Sequence, residues 1–557
     1  MTRDAQRDPA WLEALPWLAL AAACAPLLRG FPQGHDWSFE LVRVAEYGRA
    51  LATQWPPAWA ENLYGGYGSP IFLFYAPLYA FVSSLLGGLL GAVERGAALA
   101  LVLAGVTGVI SMRRLAFLAT GSRAASRVAA TLFVLHPYLL CDALLRNANA
   151  EYLALCIAPA VAAGLLDLRT HPRRGACLLA LSLALLVLAH NLTALFTTGM
   201  LAVAAAALYL PQNLRQEARR PVWIGLALGV ATGVAVAAFF WLPALTLTPL
   251  VRSDDLLVGK FDFHRQFPDP LVSLFGYARF YASGVLPLCA LLAAAAAAVW
   301  RRPADAWRRR LLYTVIAGAV FSLFMMTPAS VVLWETIPAF PLFQFPWRLQ
   351  GPLALLTALA AAIAFAAWLR GRPAAWQHGA EVGLALAALA NALPHLLDAR
   401  ALEPRFAAAL PRMLSAEGVR AGQNTATVLD EYLPRSANPQ TWQRQPAGPA
   451  GVVGVTGGVT FEAKAERAPG IRLSATAPGP AHLRLGRWAF PGWELKVDGQ
   501  ARAVEPNRFG SIDAAVPAGQ SEVRLRYRAP PARRLGLVLS GLGLAGLAGL
   551  AWRLRRR

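Results

Sequence analysis

The stretch SMRRLAFLATGSRAASR, residues 111–127, places Arg113, Arg114, Arg123 and Arg127 in a short gap between two apolar runs, 95–112 and 126–143. Runs of about this length are what a helix needs to cross a bilayer core. The same event recurs along the chain. Arg169, Arg173 and Arg174 form the next burst, then Arg215, Arg219 and Arg220, then Arg301, Arg302, Arg308, Arg309 and Arg310, then Arg370 and Arg372. The chain closes on Arg553, Arg555, Arg556 and Arg557. The bursts fall in every second gap. Short cytoplasmic loops retain Lys and Arg, so the alternation orients the whole chain and turns the remaining gaps outward.

Twelve runs are predicted to span: 11–28, 95–112, 126–143, 151–168, 175–191, 193–210, 221–243, 281–300, 311–327, 350–369, 378–396 and 534–552. That number puts both termini inside. Residues 71–92 are also apolar, but a crossing there would flip every later burst. Pro77, Tyr75, Tyr79 and Gly87–Gly88 suit a helix lying in the outer interface or a re-entrant one. The fold class is therefore a polytopic α-helical membrane protein. A core over 1–396 includes a large first outer loop at 29–94, and a second large outer segment runs from about 244 to 280. A third outer segment follows at 397–533, and 534–557 is an anchor with a basic tail. From about 440 the chain alternates in short runs between Gly/Pro turns (IRLSATA, HLRLGRWAF, WELKVDG, SEVRLRYRA), the pattern of an antiparallel β-sandwich with a hairpin turn at Asp498-Gly499.

Across 557 residues, 57% are hydrophobic and the net charge is +21. Because most of that charge sits in the inner gaps, anionic headgroups and topology explain it and nucleic acid is not an expected partner. All five cysteines lie in or beside apolar runs, which leaves the 397–533 segment without a disulfide framework. The first run lacks a small-x-small exit and is read as a retained helix.

The residues suited to chemistry lie in the outer gaps. Gly34-His35-Asp36-Trp37 opens the first loop, and Asp36 is placed either to act as a general base or to cap the helix that follows. Tyr64 and Tyr67, among the glycines of LYGGYGS, could stack on a sugar or belong to an interfacial aromatic belt. Glu151 begins a span, either facing a cavity or simply complementing the helix dipole, with Asp142 a weaker candidate nearby. His190 and Asn191 lie at the outer end of a span, as phosphate or substrate contacts or as an interhelical polar pair. Arg348 stands alone at an outer span start, placed to grip a phosphate or to snorkel. Lys260, His264 and Arg265 are further phosphate candidates. No HExxH, CxxC pair, DxD or nucleotide fingerprint is present, so no metal ligands are assigned.

The string GHDWSFELVRVAEYGRAL…WPPAWAENLYGGYGSPIFLFYAPLYA, with AHNL at 189–192, FQFPWR at 343–348 and FPGW at 490–493, resembles a bacterial integral membrane family related to GT-C glycosyltransferases. Its members are often labelled 6-pyruvoyl-tetrahydropterin synthase-related or YfhO-like. The resemblance covers nearly the whole chain. It implies a GT-C-like core in the bacterial inner membrane, a sugar donor linked to polyprenyl phosphate, and a periplasmic glycan, lipid or protein acceptor. It also implies a catalytic acid at Asp36 and a second acidic residue at Glu151. His35, Tyr64, Tyr67, His190, Asn191, His264, Arg265 and Arg348 are then expected at the substrate. A divalent cation shared by Asp36 and Glu151 is the one cofactor this resemblance suggests, and no cofactor is firmly implied. The rival readings are a flippase or transporter of a lipid-linked substrate, and a catalytically idle envelope-assembly scaffold.

Overall fold

A computed structural model of the chain describes residues 9–210, 216–267, 285–300, 305–422, 426–427, 430–448 and 450–555. Among the described residues, eight helices are long and apolar enough to cross a membrane, or eleven when each of three bent pairs counts as one span. The expected run 281–300 is helix Val285–Trp300, with its first four residues outside the described set. Arg215, Arg301, Arg302, Arg556 and Arg557 of the expected bursts also lie outside it.

Two of the bends have a simple cause. The pairs Arg123–Val134 with Pro137–Arg146, bent by 44°, and Ala306–Met325 with Pro328–Thr336, bent by 95°, each restart on a proline. Proline fits the first turn of a helix but cannot continue one, because it lacks the N–H that the preceding turn requires. The first restart ends in a widened π-type turn, Cys141–Arg146, that closes on Asn147 in the left-handed region at φ 57°. The polar residues within this turn, Asp142 and Arg146, are both buried.

Residues 71–92 do not form one long helix. A short turn at Ile71–Leu73 precedes helix Pro77–Leu90, whose 14 residues are closed by Gly91 in the left-handed region. At 1.5 Å per residue the helix reaches about 21 Å, short of the roughly 30 Å hydrocarbon core.

The C-terminal β unit is two antiparallel sheets. Strands β1 (Val452–Val455), β4 (Ala481–Trp488) and β7 (Ser511–Val516) form one, in the order β1-β4-β7. The other contains β2 (Thr460–Lys464), β3 (Ile471–Ala477), β5 (Trp493–Val497), β6 (Gln500–Arg502) and β8 (Gly519–Tyr527), in the order β2-β3-β8-β5-β6. Alternate residues of β3 and β5 are buried, as a sandwich requires. Asp498 and Gly499 make the β5–β6 turn with φ of 52° and 79°. Positive φ at both positions is the two-residue hairpin geometry that matches strand twist.

The aromatic part of the first loop packs against this unit. Tyr67 stacks on Trp488 with ring centroids 4.4 Å apart, and Trp59 meets Trp493 and Tyr527 at 5.1 and 5.3 Å. Arg487 donates to the carbonyl of Gly66, and Ala447 N–H donates to that of Gly65. Trp488, Phe490 and Trp493 are accordingly the buried joint between loop and sandwich.

Candidate functional site

The apolar helices carry polar clusters at their two ends. Helix Asn149–Asp167 links them, with Glu151 in its first turn and Asp167 as its last residue, about 24 Å apart at 1.5 Å per residue.

At the Asp167 end the arginine bursts meet carboxylates. Arg174 donates to both Asp167 oxygens at 2.5 and 2.6 Å, and Arg114 adds a third bond at 3.1 Å. Arg127, fully buried, grips Glu381 with two bonds of 2.7 and 2.9 Å and donates to Glu13 at 2.8 Å. Arg113 also bonds Glu13. Bidentate guanidinium–carboxylate geometry of this kind satisfies both partners and holds helix ends together.

The Glu151 end is built differently. Gly34 N–H donates to Asn147 Oδ1 at 2.7 Å, His35 N–H to the Leu145 carbonyl at 2.9 Å, and Asp36 N–H to the Arg146 carbonyl at 2.8 Å. The start of the first loop is thereby fastened, strand-like, to the π-turn. Glycine is required there: a Cβ on residue 34 would lie 2.2 Å from Asn147 Oδ1 and 2.6 Å from the Leu145 carbonyl oxygen. Asp36 occupies the cap position of helix Trp37–Thr53, yet its side chain makes no capping bond. Its Oδ1 instead faces His35 Nδ1 at 2.7 Å. This hydrogen bond holds the His35 imidazole above its ordinary pKa, favouring the imidazolium.

Beside this strap lies a buried charge cluster. Arg146 bonds Asp142 one turn back and approaches Glu151 at 3.6 Å, while its guanidinium lies 4.4 Å over the Trp347 ring. Arg348 comes in from the start of another span, with Nε 3.5 Å from Glu151 Oε2. It is held there by Nη1 donating to the Phe343 carbonyl and to Gln344 Oε1. Tyr138 donates its hydroxyl to Glu151 Oε1 at 2.7 Å. Glu151 Oε2, Asp142 Oδ2 and Arg348 Nε are buried without a hydrogen bond. Glu151 Oε2 and Arg348 Nε thus face each other as an ion pair at 3.5 Å, too long for a hydrogen bond, so the pairing in this cluster is incomplete.

The expected residues divide accordingly. Glu151 and Arg348 are brought together, and the backbone of His35 and Asp36 is bonded to Leu145 and Arg146 beside them. His190 is close enough to act electrostatically on Glu151, and its Nδ1 caps the next helix through Thr193. Asn191 holds the first loop instead, donating to the Phe74 carbonyl at 3.0 Å. Tyr64 and Tyr67 are buried, bonded to Thr427 and to the Gln445 carbonyl. His264 is exposed and pairs with Asp262 and Glu335 at 2.7 and 3.1 Å, and its neighbour Arg265 is exposed as well. Lys260 acts electrostatically on His35. The residue not singled out in the sequence is Arg146. It lies just past the run 126–143, and its spacing of four from Asp142 and five from Glu151 gains meaning only with the break at Pro137 and the π-turn.

A divalent cation does not fit these residues. Among the described residues no three His, Cys, Asp or Glu side chains gather to hold a metal. Glu151 is moreover faced by two guanidinium groups within 3.6 Å, which repel a cation.

No protein-family model matches the chain, and no curated protein matches it. Among solved structures, the arabinofuranosyltransferase AftD from mycobacteria is similar at 20% identity with a TM-score of 0.47, over 71% of this chain and 27% of AftD. The oligosaccharyltransferase of Archaeoglobus fulgidus is similar at 13% identity and a TM-score of 0.47, over 77% of this chain and 62% of that one. ArnT from Cupriavidus metallidurans, bound to undecaprenyl phosphate, is similar at 16% identity and a TM-score of 0.41, over 76% of this chain and 78% of ArnT. The chain thus spans about a quarter of the mycobacterial protein and under two thirds of the archaeal one.

Proposed function

We propose that this protein is a GT-C-type membrane glycosyltransferase. It takes a sugar from a polyprenyl-phosphate carrier and passes it to a hydroxyl or amine of a periplasmic glycan, lipid or protein. The arginine end faces the cytoplasm with both termini, and the Glu151 end faces the periplasm. One observation carries the reading: the backbone strap 34–36 sets a partly open carboxylate beside a closed cluster containing two guanidinium groups.

Exposure assigns the roles. The Asp36 side chain is 32% exposed and can reach an acceptor, whereas that of Glu151 is 5% exposed and cannot. Asp36 takes the acceptor proton as the acceptor oxygen or nitrogen attacks the sugar's anomeric carbon. The bond from that carbon to the carrier phosphate breaks, and the phosphate leaves with the bonding electrons. Arg348 and Arg146 neutralise the charge that develops on it, in surroundings where water screens little. Glu151 positions both guanidinium groups.

The test is turnover of polyprenyl-phosphate-linked sugars by the full chain in lipid nanodiscs, read as released polyprenyl phosphate. Loss of a general base costs about 10²–10⁴-fold, so Asp36→Asn should lose that much while the protein stays folded. Wild-type turnover by this variant removes Asp36 as the base, and absence of turnover by the wild type removes the enzymatic reading.

A lipid-linked substrate transporter is the second reading, favoured by the broken span at Val134–Pro137 with buried His136 in the break. It predicts passage of a labelled lipid across the bilayer without polyprenyl phosphate release.

A further inference from the structure

A second polar site lies away from the Glu151 cluster, where the β unit, the first loop and the last helix meet. A groove of about 420 Å³ there is lined by Trp55 and Pro56 of the loop, by Arg467, Arg526 and Arg528 of the β unit, and by Arg533 and Leu537 of helix Pro531–Arg555. Four guanidinium groups line it against one carboxylate, Glu466.

The four arginines are not equivalent. Arg533 is buried and builds the wall, donating to the Pro56 and Pro57 carbonyls at 2.8 and 2.6 Å. Glu466 is shared between Arg524 and Arg526 at 2.7 and 3.2 Å, so it neutralises less than the groove's charge. Arg528 meets the exposed Glu494 at 3.0 Å. The Arg467 guanidinium is exposed and has no partner among the described residues.

The setting is that of a membrane surface. Helix Pro531–Arg555 turns apolar directly after Arg533 and Arg534, and Leu535, Leu537 and Val538 are all exposed. Only 17% of its apolar window is buried within the protein, which leaves a face open to acyl chains. Trp55, 76% exposed and 6.2 Å from Phe81 of the short apolar helix, sits at the same level. Exposed tryptophan beside arginine is the composition of the headgroup layer.

We propose that this groove binds the phosphate of an anionic membrane lipid, whose acyl chains run down the exposed face of Pro531–Arg555. Arginine suits the task because its planar fork can bond two phosphate oxygens at once. Basic recesses at membrane-spanning helices retain anionic headgroups by the same chemistry. The site is independent of the glycosyltransferase reading.

Native mass spectrometry of the full chain in detergent, titrated with phosphatidylglycerol or phosphatidylcholine, tests it. The wild type should bind a first phosphatidylglycerol about tenfold more tightly than phosphatidylcholine, and Arg467→Ser/Arg526→Ser/Arg528→Ser should remove that preference. Should the triple variant lose its monodisperse profile, Arg467→Ser alone should still weaken phosphatidylglycerol binding by several-fold. Unchanged affinity in the variant that stays folded overturns the proposal. So does equal displacement of the lipid by the same concentration of inorganic phosphate or glycerol 3-phosphate, which would make the groove a site for soluble anions.

Discussion

Helix Asn149–Asp167 ends in a carboxylate cluster on each side, and the two clusters are satisfied to different degrees. Asp167 accepts bonds from Arg174 and Arg114, and nearby Glu381 takes both prongs of Arg127. Glu151, sixteen residues away along the same helix, has two arginines near it and a hydrogen bond from neither. Similar residue types are thus used in two ways. Fully paired charges at one end join helix termini, and the cost of removing them from water is offset by their geometry. Incompletely paired charges at the other end leave hydrogen-bonding capacity unspent, as a site needs if it is to meet charge that appears only during a reaction.

One substitution made at both ends should separate these roles. Glu381→Gln leaves Arg127 buried without its bidentate partner, and breaking such a pair costs about 3–5 kcal/mol, seen as a lowered denaturation midpoint in detergent. Glu151→Gln should cost less, about 1–2 kcal/mol, since it removes two ion pairs at 3.6 and 3.5 Å but no arginine hydrogen bond, and Tyr138 can still donate to the amide oxygen. Its turnover should fall about 10²-fold. Equal destabilisation at the two ends would erase the distinction.

The strap offers a sharper probe of the open end. Gly34→Ala forces residue 34 away from Asn147 and Leu145, and a displacement of about 1 Å in a reacting group can cost about 10²-fold in rate. Turnover should drop while donor binding, measured by equilibrium binding of the carrier-linked sugar, stays near wild type. Unchanged turnover would mean that the position of Asp36 does not matter.

The smallest effect concerns pH. Asp36 holds the His35 imidazolium above its ordinary pKa of 6.5. A group with a raised folded-state pKa contributes stability that is complete below its unfolded value and lost as pH rises through the folded one. Wild type should therefore melt slightly above His35→Gln at acidic pH, with the gap closing toward alkaline pH. A gap that widens with pH contradicts the pairing.

Much of the helical core was legible because apolar length and arginine placement are local properties, carried by each segment without reference to its partners. Asp36, Glu151 and Arg348 could be singled out for a related reason: a charge at a span end expected to face outward stands against its background. Arg146 could not, because residues 126–143 read as one continuous span, and only the proline break with its π-turn turns Asp142 and Arg146 toward Glu151. Tyr64 and Tyr67 were open to a sugar-stacking reading, yet they bond Thr427 and Gln445, more than 350 residues away. Such pairings leave no trace in local pattern. The exposed pair His264–Glu335 likewise joins residues 71 apart.

The whole account turns on which compartment each end faces. In a chain with its native cysteines replaced, His35→Cys and His171→Cys put single thiols at exposed positions of the two ends, with side chains 66% and 57% accessible in the native residues. A membrane-impermeant maleimide applied to intact spheroplasts should label position 35 at once and position 171 only after permeabilisation. Labelling of 171 and protection of 35 in intact spheroplasts would place the carboxylate strap in the cytoplasm and contradict the account.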